Sequence, residues 1–187
     1  AVGYFDKEAF KDCISLKELT FHNDISFIMN QVFLNCVSLE SVTFKKNVGI
    51  INWQSFGYCE SLKQIDFEGT LDTLGWGCFE FCSSLESIVI PSSVREIGER
   101  AFRGCSLKNV IIPNGVREIG ERASEDCKNL TSFTISNSVF ELGNGVLSGC
   151  IRLAEINIPD NVASIMGNPF TECDLKINVS NKNKYFK

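Results

Sequence analysis

The chain has 187 residues, 44% hydrophobic and 22% charged, the balance of a soluble globular protein. A net charge of −5 excludes the clustered Lys and Arg that nucleic-acid phosphates demand. No apolar run approaches the roughly 18 residues of a membrane helix, and the opening AVGYFDKEAF lacks the basic and apolar regions of a secretory signal.

Nine cysteines would ordinarily point to a disulfide framework or a metal site. Eight of them instead form a ruler. Cys13, Cys36, Cys59, Cys82, Cys105, Cys127, Cys150 and Cys173 stand 23 residues apart, except for one interval of 22. One template recurs between these marks. In chain order its first apolar triplets are Leu16/Leu19/Phe21, Leu39/Val42/Phe44, Leu62/Ile65/Phe67 and Leu85/Ile88/Ile90. Leu107/Val110/Ile112, Leu130/Phe133/Ile135 and Leu153/Ile156/Ile158 follow. A second apolar pair recurs as Val2/Phe5, Ile25/Ile28, Val48/Ile51, Leu71/Leu74, Val94/Ile97, Val116/Ile119, Val139/Leu142 and Val162/Ile165. An aromatic slot holds Phe10, Phe33, Phe56, Phe79, Phe102 and Phe170, lapsing to Ser124 and Leu147.

One such unit cannot bury its apolar positions alone, whereas stacked units share a continuous core. The alternation in Leu-x-x-Ile-x-Ile predicts parallel strands with equivalent residues about 4.8 Å apart. The fold class is therefore mainly β: a solenoid of about eight coils, roughly 38 Å long. Gly98–Phe102 and its equivalents are too short for a full helix and predict one turn of α or 3₁₀ helix. Pro91, Pro113 and Pro159 follow their strands and withhold an N–H from the ladder. Ile88→Ala, in a core slot, is expected to cost about 2–5 kcal/mol. The register predicts a single domain over residues 1–187. Its first copy opens in mid-template at Val2, so further repeats or a cap are expected upstream.

The run Leu-x-x-Ile-x-Ile-Pro-x-x-Val-x-x-Ile-Gly-x-x-Ala-Phe-x-x-Cys, matched most closely from Leu85 to Ile119, resembles the BspA-like leucine-rich repeat over essentially the whole chain. The resemblance implies a leucine-rich repeat solenoid of a secreted or cell-surface protein from mucosa-dwelling microbes, with a role in adhesion or protein binding. The sequence departs from the pattern at Ser124, at Phe140, and in the N-terminal copies, which lack the strand-ending proline. Cys173-Asp174-Leu175-Lys176-Ile177-Asn178-Val179 resembles the family's closing strand and polar cap.

Catalytic chemistry finds little to work with. The cysteine column has no His or acidic neighbour in register to activate it and reads as small buried thiols filling one core slot, although stacked thiols could cross-link. Cys78 breaks the ruler, but it falls in the small-residue slot of Ala101 and Ala123 rather than in a metal cluster. His22, the single histidine, has no Ser or Cys nucleophile predicted beside it. The reading is a non-enzymatic chain with no cofactor and no metal. Lys182, Lys184 and Lys187 make an ordinary solvated end.

The outward slots are more informative. Lys17, Glu40, Lys63, Glu86 and Lys108 alternate in sign on successive strands and predict a register-setting charge ladder. Two other slots carry rings in the same two coils. Trp53 and Trp76 stand where other copies have Lys7, Asn30, Glu99 and Glu121. Tyr58 and Phe81 stand where others have Asp12, Asn35, Gly104 and Asp126. Phe27 and Ile50 occupy the slot that later holds Glu96, Glu118 and Glu141. Together these six residues are the candidate partner-binding patch, since exposed apolar clusters mark interaction surfaces and Trp and Tyr are favoured anchors. The expected partner is a protein or a surface glycan, with no nucleic acid and no membrane insertion. Packing of the rings on one another, in a structural spacer or self-association segment of a longer surface protein, is the alternative. Asn129-Leu130-Thr131 and Asn178-Val179-Ser180 match glycosylation sequons, of weight only in a eukaryotic secretory setting.

Overall fold

The computed structural model describes residues 3–185; Val2 of the first apolar pair and Lys187 of the basic tail lie outside the described residues. Its strands begin with β1 (Gly3–Phe5), β2 (Glu18–Phe21), β3 (Ile25–Ile28), β4 (Ser41–Phe44), β5 (Val48–Ile51), β6 (Gln64–Phe67), β7 (Leu71–Leu74) and β8 (Glu96–Ile97). They continue with β9 (Asn109–Ile111), β10 (Glu118–Ile119), β11 (Ser132–Thr134), β12 (Glu141–Leu142), β13 (Glu155–Ile158), β14 (Ser164–Ile165) and β15 (Lys176–Val179). All pairings are parallel and join equivalent positions of successive coils, as in Val42↔Ile65 and Ile119↔Leu142. The chain is a mainly β solenoid.

The continuous wall is built by the second apolar pair, expected only as a short apolar step. It forms one eight-stranded sheet, β1-β3-β5-β7-β8-β10-β12-β14. From β8 onward its strands shorten to two residues. At the transition Leu71 N–H donates to Ser93 Oγ (3.0 Å), which itself donates to the Leu71 carbonyl (2.8 Å), so a side chain replaces a ladder bond.

The wall expected to be continuous is interrupted. The Leu-x-x-Ile-x-Ile column divides into β2-β4-β6, β9-β11 and β13-β15. No strand forms at Leu85–Ile90, and no backbone hydrogen bond joins Ser87–Ile90 to a neighbouring coil. Ile88, expected in the core, is half-buried, whereas Ile65 and Val110 on either side are buried. The physical reason lies in three local changes. The stack of Phe21, Phe44 and Phe67, at centroid spacings of 4.8 and 5.3 Å, ends where Ile90 replaces the ring. Pro91 withholds its N–H there. The following interval is the 22-residue one, shortened between Cys105 and Leu107. Pro159 directly follows β13 as expected, but Ile112 intervenes between β9 and Pro113, and no strand precedes Pro91.

The third wall consists of hydrogen-bonded turns. The expected helical turn at Gly98–Phe102 does not form, and there is no helix among the described residues. The cause is backbone handedness. Gln31 and Asn35, Gln54 and Tyr58, Gly77 and Phe81, and Arg100 and Gly104 all have positive φ. Two left-handed residues per coil end any right-handed helix before it can propagate. The turns bond outward instead: Gln31, Phe33 and Asn35 N–H donate to the carbonyls of Trp53, Ser55 and Gly57 at 2.8, 2.8 and 2.9 Å.

Between the walls lies a layered core. Phe10, Phe33, Phe56, Phe79 and Phe102 stack at 5.3, 5.1, 5.6 and 6.1 Å. Beside them each ladder thiol from Cys36 to Cys173 donates to the carbonyl of the preceding coil's aromatic slot. Cys59 reaches Phe33 (3.2 Å), Cys82 reaches Phe56 (3.1 Å), Cys105 reaches Phe79 (3.1 Å) and Cys150 reaches Ser124 (3.2 Å). In the last described coil β15 pairs with β13, and Asn183 Nδ2 donates to the Pro159 and Val162 carbonyls (2.8 and 3.0 Å).

Candidate interaction surface

The turn wall sets the geometry of the ring pairs. Tyr58 and Phe81 occupy the second left-handed position of their coils, with φ of 58° and 57°. Gly104 and Gly149 hold this position elsewhere at no steric cost, and Asn35 and Asp126 hold it at little. A bulky aromatic residue there is an outlier, held by the coil against its own preference.

Stacking follows from the coil repeat. Trp53 and Trp76 lie 5.1 Å apart with an interplanar angle of 8°. Tyr58 and Phe81 lie 5.0 Å apart and are tilted by 36°. The next coil closes both columns with a cation: Arg100 lies 5.9 Å over Trp76, and Arg103 lies 5.2 Å over Phe81. Both faces of Trp76 and of Phe81 are thereby occupied, and their edges meet solvent. Trp76 and Tyr58 remain 42% and 38% exposed, while Trp53 and Phe81 are half-buried. Trp53 Nε1 is shut off from solvent and donates to no acceptor, a deficit of about 1–3 kcal/mol.

A polar chain runs along the same turns. Gln31 donates to Gln54 (3.1 Å), and Gln54 donates to Glu80 Oε2 (3.0 Å). Arg103 donates to Glu80 Oε1 (3.2 Å), so both oxygens of this buried carboxylate are used. Arg103 Nε and Glu125 Oε2 stand 2.6 Å apart but outside hydrogen-bonding alignment, an ion pair only. Arg100 pairs with Glu99. Both arginines are thus held over the rings.

Phe27 and Ile50 lie on the outward face of the eight-stranded sheet, in register Tyr4↔Phe27↔Ile50↔Thr73. The fold therefore makes three neighbouring pairs of the six candidates: Trp53 with Trp76, Tyr58 with Phe81, and Phe27 with Ile50. No ring contact links the Trp column to the Tyr/Phe column among the described residues. Sequence reasoning missed Arg100 and Arg103, because an outward arginine reads as solvated. It also missed Val89 and Ile111, which are 83% and 60% exposed and border a cleft of about 350 Å³ at the strand interruption. Their slot reads Thr20, Thr43, Asp66, Val89, Ile111, Thr134, and that lapse in polarity was the available signal.

The charge ladder is two separate pairs. Lys63 binds Glu40 (2.9 Å) and Lys108 binds Glu86 (2.5 Å), but no ion pair joins Lys17 to Glu40 or Lys63 to Glu86 among the described residues. An ammonium closed on one carboxylate leaves the opposite neighbour unserved. The Lys63 hydrogen bond and charge hold the Glu40 carboxyl below its ordinary range.

All nine cysteines are free thiols. Burial pushes Cys105 and Cys150 up to about 12, and Cys59, Cys78, Cys82 and Cys127 also rise strongly through burial. Such thiols hold few thiolates at neutral pH. Cys78 sits in its small-residue slot facing the Ala101 carbonyl (3.9 Å). Among the described residues no group of three or more His, Cys, Asp or Glu is arranged to hold a metal ion. His22 is exposed beside Asp24 in a cleft of about 320 Å³ that no serine or cysteine lines. No helix among the described residues is long and apolar enough to cross a membrane.

Comparison with known proteins gives one consistent answer. A leucine-rich repeat protein from Bacteroides ovatus is 26% identical, with a TM-score of 0.77 over 88% of this chain and 45% of its own. The Treponema pallidum leucine-rich repeat protein is 28% identical, with a TM-score of 0.71 over 81% of this chain and 73% of its own. A leucine-rich cell surface protein of Faecalibacterium prausnitzii shares the fold at 22% identity and a TM-score of 0.50, over 93% of this chain and 69% of its own. The chain spans under half the length of the Bacteroides structure. No curated protein is significantly similar in sequence. The model of the BspA-type leucine-rich repeat region matches residues 1–93 and 73–187, and the chain belongs to that family.

Proposed function

We propose that this chain is a non-enzymatic protein-interaction module of a secreted or cell-surface protein, and that it docks its partner on the ring edges of its third and fourth coils. The observation carrying this reading is the placement of Tyr58 and Phe81 at positive φ, where glycine or asparagine would cost less. The fold gains a ring stack of about 0.5–1.5 kcal/mol that the left-handed backbone offsets, whereas an interface gains two aromatic anchors. Packing between the rings explains their half-burial but not their choice at these positions.

The ring geometry favours a protein over a glycan at this surface. Sugars stack on open ring faces, and both faces of Trp76 are covered by Trp53 and Arg100. Exposed edges flanked by fixed arginines suit a protein partner, because Trp, Tyr and Arg dominate interface hot spots. A surface location draws support from the family and from the description of the Faecalibacterium relative as a cell surface protein.

The test is binding to immobilised extracellular-matrix and epithelial surface proteins by wild type and a folded Trp53→Ser/Trp76→Ser variant. Binding lost in the variant supports the adhesion module. Binding by neither protein, with concentration-dependent self-assembly of the wild type, would replace it with the spacer or self-association reading.

A further inference from the structure

The outward side of the eight-stranded sheet presents two residues per coil, between the inward members of each apolar pair. In the fifth coil these are Arg95 and Glu96, both exposed between buried Val94 and Ile97. Backbone bonds align the first of the two from coil to coil. Arg95 N–H donates to the Asp72 carbonyl (2.9 Å), Arg117 to Arg95 (3.3 Å) and Phe140 to Arg117 (2.8 Å). Strand register aligns the second as Thr73↔Glu96↔Glu118↔Glu141, continuing the column of Phe27 and Ile50.

Two columns of single sign therefore run side by side, Arg95 and Arg117 beside Glu96, Glu118 and Glu141. The carboxylates recur about every 4.8 Å, and like charges directly opposite on neighbouring strands are destabilising. Among the described residues no ion pair engages any of these five side chains. The other wall is built differently, with Lys63 closed on Glu40 and Lys108 on Glu86. In the second and third coils the same two columns differ in size rather than charge: Ser26 and Gly49 lie beside Phe27 and Ile50. The complement of each column is thus its neighbour, one residue along the chain.

We propose that two copies of this chain pair face to face through this sheet, about a twofold axis parallel to the coil stack and centred between the two columns. That operation lays each column on the other column of the second copy with coil numbers matched. Arg95 meets Glu96 of the second copy, Arg117 meets Glu118 of the second copy, and each pair occurs twice, as an isologous contact requires. Phe27 and Ile50 fall on the small residues Ser26 and Gly49 of the second copy. An axis along the strands would instead set arginine on arginine. The face spans roughly 38 Å by 13 Å, so pairing covers on the order of 1,000 Å² in total, the lower bound of specific interfaces. The ring edges of the turn wall stay free for a different partner.

Sedimentation velocity between about 1 and 200 µM protein tests the contact. The expected result is a monomer–dimer equilibrium with a dissociation constant near 10 µM, weakened severalfold by about 0.5 M salt. Arg95→Glu/Arg117→Glu and Glu96→Arg/Glu118→Arg, each shown to be folded by circular dichroism, are each expected to stay monomeric at about 200 µM. Their equimolar mixture should dimerise at least as tightly as wild type, since an all-acidic face then meets an all-basic one. Trp53→Ser/Trp76→Ser should leave the wild-type dimer intact, which separates this contact from assembly through the rings. A wild-type monomer over the whole range, a dimer indifferent to both charge reversals, a mixture that remains monomeric, or a dimer lost with the two tryptophans would each overturn the proposal.

Discussion

The ring of Phe81 rests on Gly104 of the next coil: a Cβ at Gly104 would stand 2.5 Å from Phe81 Cδ1 and 2.7 Å from Cε1. Gly104 also has φ of +69°, so it meets two demands at once. Gly104→Ala is expected to cost about 1–3 kcal/mol. In a Phe81→Ser background the steric part should vanish and leave about 1–2 kcal/mol for the left-handed backbone. Denaturant midpoints of the four proteins in this cycle measure it; a Gly104→Ala penalty unchanged by Phe81→Ser would show that the ring is not the obstacle.

Tyr58→Asn trades an aromatic contact for a residue at ease with positive φ. Loss of the stack with Phe81 costs about 0.5–1.5 kcal/mol, and relief of the backbone returns about 1–2 kcal/mol. Stability should therefore stay within about 1 kcal/mol of wild type, while partner binding falls. A drop comparable to the roughly 3–5 kcal/mol expected for Phe79→Ala would make Tyr58 a structural residue instead.

The thiol column predicts a fall in stability on the alkaline side. The Cys105 thiol rises from an ordinary 9.0 to about 12 because burial disfavours its thiolate. Its contribution is full below pH 9, where the folded and unfolded states both hold the proton. It is lost as pH rises toward 12, since the unfolded chain ionises first, by up to about 1.4 kcal/mol per pH unit for each such thiol. Cys105→Ser keeps a donor for the Phe79 carbonyl and should shallow the slope in guanidinium titrations between pH 9 and 11. In the native state the half-exposed Cys13 and Cys173 should react with iodoacetamide well before Cys59, Cys82 or Cys127.

Ile65 and Ile88 occupy the same template slot but different environments. Ile65 sits in a paired strand and is buried, so Ile65→Ala should cost about 2–5 kcal/mol. Ile88, half-buried at the interruption, should cost clearly less than Ile65. Equal urea midpoints for the two variants would argue that the interrupted wall is as tightly packed as the paired one.

The sequence made the solenoid legible because its signals are periodic: the cysteine ruler, the strand slots and the Phe10-to-Phe102 stack each recur once per coil. What it concealed depends on departures from the period. The break at Ser87–Ile90 arises from the end of a phenylalanine stack, one proline and one deleted residue, none decisive alone. The turn wall was misread as helical because positive φ is carried by Gln54, Tyr58 and Arg100, residue types that do not announce it. At the candidate site the rings stood out by replacing polar residues, whereas Arg100 and Arg103 drew meaning only from the rings beneath them.

The unequal walls also have a mechanical consequence. One side of the array is a spine, tied from Gly3 to Ile165 by a single sheet, and the opposite side is jointed at Ser87–Ile90 and between Thr134 and Glu155. Such a body bends about its spine and gapes at its joints when pulled along its axis. A force–extension trace of the tethered chain should accordingly show soft, reversible yielding before the spine gives way. A single abrupt rupture would mean that the joints bear load like the rest. When the chain is loaded along its axis, the two joints are the parts of the molecule that feel the tension first.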